Sequence, residues 1–178
     1  MALTAVVRAV HTSRPDLSLR SEAVVGAVLL SGGSIGTAGE VAPYLGLHDR
    51  FELARLLKRE RLPALHHLAG WASVLTWLEG TESTECSLCQ LAFRARKDPA
   101  ACYRIVKRIT GLAWLEVRRR GSAWAIRRFM AQCGGGQSSP RQSGTWSTRR
   151  GGIPQQTLAG PDGLLRRDPS YRGKRGRE

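Results

Sequence analysis

Apolar side chains recur along most of the chain at the spacing of amphipathic helices, and no stretch is typical of a strand-rich protein. The most regular stretch begins after Pro63 and ends near Gly80. One of its faces carries Leu65, Leu68, Ala72 and Leu75. A period of three to four residues is typical of a helix with one buried side, so we predict a long helix over about 64–80. Trp71 and Trp77 widen the apolar face, which favours packing in a core over stacking on nucleic-acid bases.

Two capping boxes predict helix starts at equivalent places in the chain. Thr37 is followed three residues later by Glu40, and Ser87 is followed three residues later by Gln90. In such a box the hydroxyl accepts from a helix amide, while the Glu or Gln side chain reaches back to the N-cap amide. The boxes lie fifty residues apart, and each is followed by an apolar residue and an alanine. The chain is therefore predicted to use one structural unit twice.

A second helix start follows each box at a capping aspartate. Asp49 opens the second helix of the first unit, and Asp98, followed by Pro99, opens that of the second. Beyond these caps the matching residues lie forty-nine positions apart, because the second turn is one residue shorter. The matched pairs are Arg55 with Arg104, Leu56 with Ile105, Leu57 with Val106, Lys58 with Lys107 and Arg59 with Arg108. We predict two helix-turn-helix units, at about 36–62 and 86–112, joined by the long helix.

The two units differ in the chemistry of their turns. The first turn contains Gly46, whose backbone freedom a tight connection between helices often needs. The second turn, 95–97, has no glycine and is expected to match the pattern less well. The second helices have apolar faces that carry Leu53, Leu56 and Leu57 in the first unit and Cys102, Ile105, Val106 and Ile109 in the second. Each helix is expected to pack inward by that face and to present a basic outer face.

Shorter helical patterns precede and follow the two units, which makes the predicted fold all-α. These patterns cover about 3–10, 21–30, 112–120 and 122–130. Residues 1–20 are expected to form a short helical extension, and residues 21–130 the domain that contains both units. From 131 to 178 the chain is rich in Gly, Pro and Arg without a helical or alternating pattern, so a disordered basic tail is predicted.

The formal net charge of +14 is unevenly placed. Residues 1–93 hold 8 basic and 9 acidic side chains, whereas residues 94–128 hold 11 and 2. The predicted tail holds a further 9 basic and 3 acidic side chains. Such a basic segment favours a polyanionic partner, either nucleic acid or an anionic membrane, and it fits RNA as well as DNA. The sequence has no run of about 18 to 20 apolar residues that would span a bilayer, so no membrane association is assigned.

Motifs that would indicate an enzyme are missing from the sequence. There is no phosphate-binding glycine loop, no nucleophile elbow and no HExxH motif, so neither catalytic residues nor a cofactor are expected. Cys86 and Cys89 form one C-x-x-C pair without a second pair. Reduced structural thiols are therefore favoured, with a metal or redox role as the alternative. His66 and His67 are interpreted as surface or interface residues.

Together these motifs resemble the DNA-binding domain of the AraC/XylS-type transcriptional regulators, in which two helix-turn-helix units are joined by a long helix. The resemblance covers about 21–129 and rests on residues 40–47, 54–60 and 98–112. The last of these is similar to the family's signature across the second recognition helix. The resemblance implies a homeodomain-like fold, double-stranded DNA as the partner and RNA polymerase as a candidate protein partner. Each recognition helix would enter a major groove, with the two helices about one DNA turn, roughly 34 Å, apart.

Carried onto this chain, the resemblance assigns two sets of DNA-contacting residues. The base-reading candidates are Arg50, Glu52, Arg55, Ala100, Tyr103, Arg104 and Lys107. The phosphate-contacting candidates are Thr37, Arg59, Ser87, Arg108, Arg118 and Arg119. Arginine can bind guanine through two hydrogen bonds and glutamate can accept from cytosine, whereas phosphate contacts add affinity without reading sequence.

The primary hypothesis is a sequence-specific transcriptional regulator. One alternative is a basic module that binds RNA, or DNA of any sequence. Another is a fragment of a longer regulator, because residues 1–20 are too short for an effector-binding or dimerisation domain. Residues 1–10 lack the features of a signal peptide, so a cytoplasmic, nucleoid-associated location in a bacterium is expected. The sequence leaves the oligomeric state open.

Overall fold

The computed structural model describes residues 3–134, and this part of the chain is entirely helical. Its helices are α1 (Leu3–Ser13), α2 (Leu19–Leu30), α3 (Ala38–Tyr44), α4 (Arg50–Arg59), α5 (Leu65–Thr84), α6 (Leu88–Arg94), α7 (Pro99–Thr110) and α8 (Trp114–Cys133). No strand occurs between residues 3 and 134, so the predicted all-α class is confirmed there. The tail is predicted from residue 131, but α8 continues to Cys133, whose side chain is buried in the core. Residues 135–178 of that predicted tail lie outside the described range.

The centre of the fold is α5, which contains the long helix predicted over 64–80. It packs against α2, α6, α7 and α8. Its largest buried side chains lie all around the helix and are Leu65, Leu68, Trp71, Val74, Leu75, Trp77 and Leu78. The prediction of a single buried face for this helix is therefore too narrow. Four neighbouring helices together enclose α5, so side chains on all of its sides are buried. The indole of Trp71 contacts the ring of Phe129, with 6.3 Å between ring centroids, which confirms the prediction that Trp71 belongs to the core.

Two glycines of α5 allow neighbouring helices to approach closely. A β-carbon at Gly70 would lie 2.4 Å from the Cδ1 atom of Ile109 in α7. A β-carbon at Gly80 would lie 3.0 Å from a side-chain carbon of Leu91 in α6. Carbon atoms attract each other best at about 3.5 to 4.0 Å and repel at these shorter distances. The positions of α6 and α7 against α5 therefore depend on small residues at both points.

A buried arginine joins three helix ends. Arg14, directly after α1, is 7% exposed. Its guanidinium donates to the carbonyl of Glu60 at the end of α4, at 2.9 Å, and to the carbonyl of Cys133 at the end of α8. It also pairs with Asp16 at 2.8 Å, and this hydrogen bond raises the pKa of Arg14 and lowers that of Asp16. The arginine thereby satisfies carbonyl groups at helix ends that no helix amide can reach.

The last helix, α8, is broken at Gly121, where the backbone has φ 77° and ψ 176°. The carboxylate of Glu82 in α5 accepts a hydrogen bond from the amide of Ser122 at 2.8 Å. This bond satisfies an amide at the start of the second half of α8. The predicted division of this region into 112–120 and 122–130 is confirmed by the break. None of the described helices is long and apolar enough to cross a membrane.

Candidate nucleic-acid interface

The first helix pair consists of α3 and α4, and both helices begin at the predicted caps. The carboxylate of Glu40 accepts from the amide of Thr37 at 2.6 Å. Asp49 accepts from the amides of Phe51 and Glu52 at 2.8 and 2.7 Å. These bonds satisfy backbone amides that have no partner inside their helices. The buried side of α4 carries Leu53, Leu56 and Leu57.

The second helix pair, α6 and α7, is capped by the same chemistry. The hydroxyl of Ser87 accepts from the amide of Gln90 at 3.2 Å, and the Gln90 side chain accepts from the Ser87 amide at 2.8 Å. Asp98 accepts from the amides of Ala100 and Ala101 at 3.0 Å each. The four predicted helix starts are thus confirmed. The buried side of α7 carries Cys102, Val106 and Ile109.

The turns of the two pairs follow the same backbone path, although the second contains no glycine. Gly46 has φ 65°, and Arg96, fifty positions later, has φ 52°. In both turns the amide of the next residue donates to the carbonyl of an alanine five residues back, at 3.0 Å in the first and 2.9 Å in the second. The expectation that the second turn matches less well is wrong, because Arg96 adopts the left-handed conformation at a cost of about 1 kcal/mol. The extra residue of the first turn, His48, follows this shared part.

The outer face of α4 presents the predicted contact residues Arg50, Arg55 and Arg59 to solvent. The guanidinium of Arg50 lies 4.7 Å from the centre of the exposed Phe51 ring. Glu52 differs from these arginines, because it is half-buried and its carboxylate accepts from the amide of His48 at 2.8 Å. That bond ties Glu52 to the start of its own helix.

The outer face of α7 is more basic. Its exposed residues are Ala100, Tyr103, Arg104, Lys107 and Arg108. The guanidinium of Arg104 lies 3.4 Å from a carboxylate oxygen of Asp98, and 72% of the Arg104 side chain is exposed. Such a surface pair contributes less than about 1 kcal/mol, so Arg104 is free to exchange Asp98 for another acceptor. Arg55 and Arg104, which the repeat aligns, therefore both lie on exposed faces of corresponding helices.

The remaining phosphate candidates are distributed over three helices. Thr37 is exposed and Ser87 is half-buried, each at the start of the first helix of its pair. Arg118 is exposed on α8 and forms no salt bridge with a carboxylate of residues 3–134. Arg119 pairs with Glu116 at 2.7 Å, and the hydrogen bond from Arg119 lowers the pKa of the Glu116 carboxyl. The positive charge of Arg119 is thus partly neutralised by its own helix.

Three exposed aromatic side chains lie on the two helix pairs, and the helical pattern of the sequence assigns them no role. Tyr44 is 91% exposed at the end of α3, and Phe93 is 67% exposed near the end of α6. Phe51, at the start of α4, is exposed as well. The sequence could have indicated two of them, because Tyr44 and Phe93 each stand shortly before one of the two turns. Of the three, Phe51 adds apolar surface directly beside an arginine, Arg50.

The four cysteines are unpaired. Cys102 and Cys133 lie in the core, and burial raises the pKa of both thiols, that of Cys133 to about 12. Residues 3–134 contain no cluster of three or more metal-ligating side chains. The Nε2 atom of His67 lies 2.9 Å from the side-chain oxygen of Gln132, which also accepts from the indole of Trp71 at 2.7 Å. Cys102 and Cys133 therefore pack as small apolar side chains, and His67 lies where α5 meets α8.

Comparison with protein-family models, with curated proteins and with solved structures found no match for this chain. The function is therefore inferred from the residues of the chain itself. Those residues form two capped helix pairs with the same turn and with arginine-bearing outer faces.

Proposed function

We propose that this chain is a sequence-specific, DNA-binding transcriptional regulator of AraC type with two helix-turn-helix units. The two helix pairs are these units, and α4 and α7 are the recognition helices that enter successive major grooves of duplex DNA. The observation that carries the proposal is the exposure of matched basic residues on two helices that begin and turn in the same way. Helices held by caps and tight turns are suitable supports for side chains that must reach base edges.

Base reading falls to the outer faces of α4 and α7. Arg55 and Arg104 each present a guanidinium that can donate two hydrogen bonds to guanine. Ala100 and Tyr103 offer apolar atoms that can contact a thymine methyl group. Glu52 is not proposed to contact a base, because its carboxylate already accepts from the backbone amide of His48 in its own turn.

Phosphate attraction falls mainly to the second unit. The first unit, residues 36–62, holds 5 basic and 4 acidic side chains, whereas the second, residues 86–112, holds 6 and 1. Arg108 and Arg118 are exposed, whereas Arg119 is already paired within α8. Because each phosphate contact releases counterions, the second unit is expected to set the salt dependence of binding. The nearly neutral first unit then contributes mainly selectivity.

Selection of bound sequences from a random duplex library tests this function. We expect the full chain to enrich two short sequence blocks whose centres lie about one helical turn, roughly 10 base pairs, apart. Arg55→Ala should relax one block and Arg104→Ala the other, each at a cost of about 1 to 3 kcal/mol in binding. Arg8→Ala, on the exposed side of α1, is the matched control and should leave both blocks intact. Enrichment of no motif, or of a motif that neither substitution alters, would contradict a sequence-specific reader.

The concentration of charge favours one alternative, a basic module that binds RNA or duplex DNA of any sequence. Residues 94–128 hold 11 basic and 2 acidic side chains. Such a module gains nearly all of its affinity from phosphates, so its affinity falls steeply with salt and differs little between sequences. Competition against unrelated duplex DNA and single-stranded RNA separates the two functions. A specific reader prefers its selected site by a factor of about 10³ or more.

A further inference from the structure

A large groove lies between the first helix pair, α5 and α7. Its volume is about 1130 Å³, which is slightly above the usual range of about 300 to 1,000 Å³ for small-molecule sites. Its apolar floor is formed by Ile35, Leu53, Leu57, Leu65 and Ile105. Ile105 is only half-buried, although the sequence places it on the apolar face of its helix. Leu53, Leu57 and Leu65 are at most 7% exposed, so the accessible apolar surface of the floor lies at the half-buried Ile35 and Ile105.

Basic side chains line the same groove. They are Arg50, Lys58, Arg61, Lys97 and Arg108. None of the five forms a salt bridge with a carboxylate of residues 3–134. Glu40 is the carboxylate among the described lining residues, and it already accepts from the amide of Thr37 at 2.6 Å. The described lining therefore holds five basic side chains and one carboxylate, and the groove combines an apolar floor with a net positive charge.

We propose that this groove binds a small amphiphilic anion, with its apolar body on the floor and its carboxylate among the basic side chains. Burial of the apolar body is favourable because it removes hydrocarbon from water. The carboxylate gains charge-assisted hydrogen bonds from lysine and arginine, which are stronger than those between neutral groups. This site goes beyond DNA binding, because its ligand lies in the groove between the two helix pairs. Arg50 and Arg108 border both this groove and the outer faces of α4 and α7.

The positive charge of the groove favours a small amphiphilic anion over three other possible occupants, which are residues 135–178, a second copy of the chain and duplex DNA. Residues 135–178 of the same chain hold 9 basic and 3 acidic side chains, so the rim repels them. A second copy of the chain brings the same excess of positive charge. Duplex DNA offers phosphates to the rim, but a phosphate loses hydration against an apolar floor without gaining a partner there. An apolar body with one acidic end matches both parts of the groove.

Calorimetric titration of the full chain with dodecanoate, in the absence of DNA, tests the proposal. We expect saturable binding of one dodecanoate per chain. Dodecyltrimethylammonium carries the same alkyl chain with a positive end, and it should bind at least about tenfold more weakly because like charges repel. Since no DNA is present, this outcome is independent of whether the chain is a transcriptional regulator.

A groove-filling variant locates the binding site. Ala54 lines the groove from the exposed side of α4, so Ala54→Trp should occupy the space of the alkyl chain without disturbing the core. We expect it to lower the affinity for dodecanoate by about tenfold or more, which corresponds to about 1.4 kcal/mol. Ala123→Trp, on the exposed side of α8, is the control and should bind as the unsubstituted chain does.

Charge variants test the rim. Lys58→Gln/Arg108→Gln removes two charges of the groove, whereas Arg8→Gln/Arg127→Gln removes two exposed charges elsewhere. The first double variant should weaken dodecanoate binding about fivefold or more and the second less than about twofold, because an ion pair weakens with distance and screening. Circular dichroism checks that every variant remains helical.

Three results would overturn the proposal: no saturable binding of dodecanoate, equal binding of the cationic analogue, or equal losses in the groove and control variants.

Discussion

The two helix pairs share their caps and turns, but they are attached to the rest of the protein in different ways. α6 and α7 pack against α5, where Gly70 and Gly80 permit close approach. The main helical contact of α3 and α4 is with each other. The leucines of α4 are buried in the common core, and polar contacts hold its end in addition. Glu60 accepts from Arg14 through its carbonyl at 2.9 Å and from the amide of Ser18 through its carboxylate at 3.1 Å.

This difference shows that a repeated sequence unit need not be packed in a repeated way. Caps and turns are determined within about five residues of chain, so the two units form them alike. Anchoring depends on side chains that lie far away in the sequence, and these are not repeated. Both pairs bury apolar side chains in the common core, and the nearly neutral pair has in addition a charged network at one end.

The anchor of the first pair gives the largest expected effect. Arg14→Met removes the donor of two carbonyl groups at helix ends, and we expect it to lower the free energy of unfolding by about 3 kcal/mol. Arg8→Met, on the exposed side of α1, should change it by less than about 0.5 kcal/mol. Urea denaturation measures both. If Arg14→Met is as stable as the control, the polar anchor has no energetic role.

The close approach of α7 to α5 gives the next largest effect. Gly70→Ala places a β-carbon 2.4 Å from Ile109 and should lower the free energy of unfolding by about 1 to 3 kcal/mol through overpacking. Gly39→Ala, in α3, meets only Thr37 at 3.9 Å and should be neutral or stabilise by about 0.5 to 1 kcal/mol. Thermal and urea denaturation distinguish the two. Equal stabilities would show that the second pair is not tightly anchored.

The charge difference between the pairs is tested by the salt dependence of DNA binding. Lys107→Gln/Arg108→Gln should reduce the slope of log affinity against log salt by about 1 to 2, because each phosphate contact contributes about 0.9. Lys58→Gln/Arg59→Gln makes the same changes at the aligned positions of the first pair. It should reduce the slope by less than about 0.5, because the Glu60 carboxylate, 3.9 Å from Arg59, offsets part of the charge of this phosphate candidate. Fluorescence anisotropy at several salt concentrations measures both. If both double variants reduce the slope equally, the proposal that the second pair supplies most of the phosphate attraction is wrong.

The smallest expected effect concerns the shared turn. Arg96 adopts φ 52°, so Arg96→Gly should stabilise the protein by about 1 kcal/mol through relief of backbone strain. Arg96→Ala removes the same side-chain charge but keeps the β-carbon, and it should stay within about 0.5 kcal/mol of the unsubstituted chain. A stabilisation that is equal in both variants would trace the effect to charge rather than to the backbone.

Much of the local structure is predictable from the sequence, because its determinants lie close together along the chain. The caps at Ser87, Asp49 and Asp98 use partners two or three residues away. The break at Gly121 and the helical character of the chain follow from residue type and from apolar spacing in the same way. The exposed positions of Arg55 and Arg104 follow from the faces of their helices.

The remaining features depend on contacts between distant residues. The periodicity of apolar residues indicates one buried face for α5. In the structure four helices pack around α5 and bury its other sides as well. The bond of Arg14 to the carbonyl of Glu60 spans 46 positions, and its bond to that of Cys133 spans 119. The groove beside α4 exists because two helix pairs leave space between them. No local pattern contains that information.

The junction at Arg14 also imposes an order on the synthesis of the protein. Arg14 leaves the ribosome early, whereas the carbonyl of Cys133, one of its acceptors, is added 119 residues later. Glu60, the acceptor that attaches the first pair, is added only 46 residues after Arg14. The nascent chain can therefore fasten the end of α4 to Arg14 well before α8 is made, whereas the bond that joins α8 to the same guanidinium waits until the last turn of α8 has emerged.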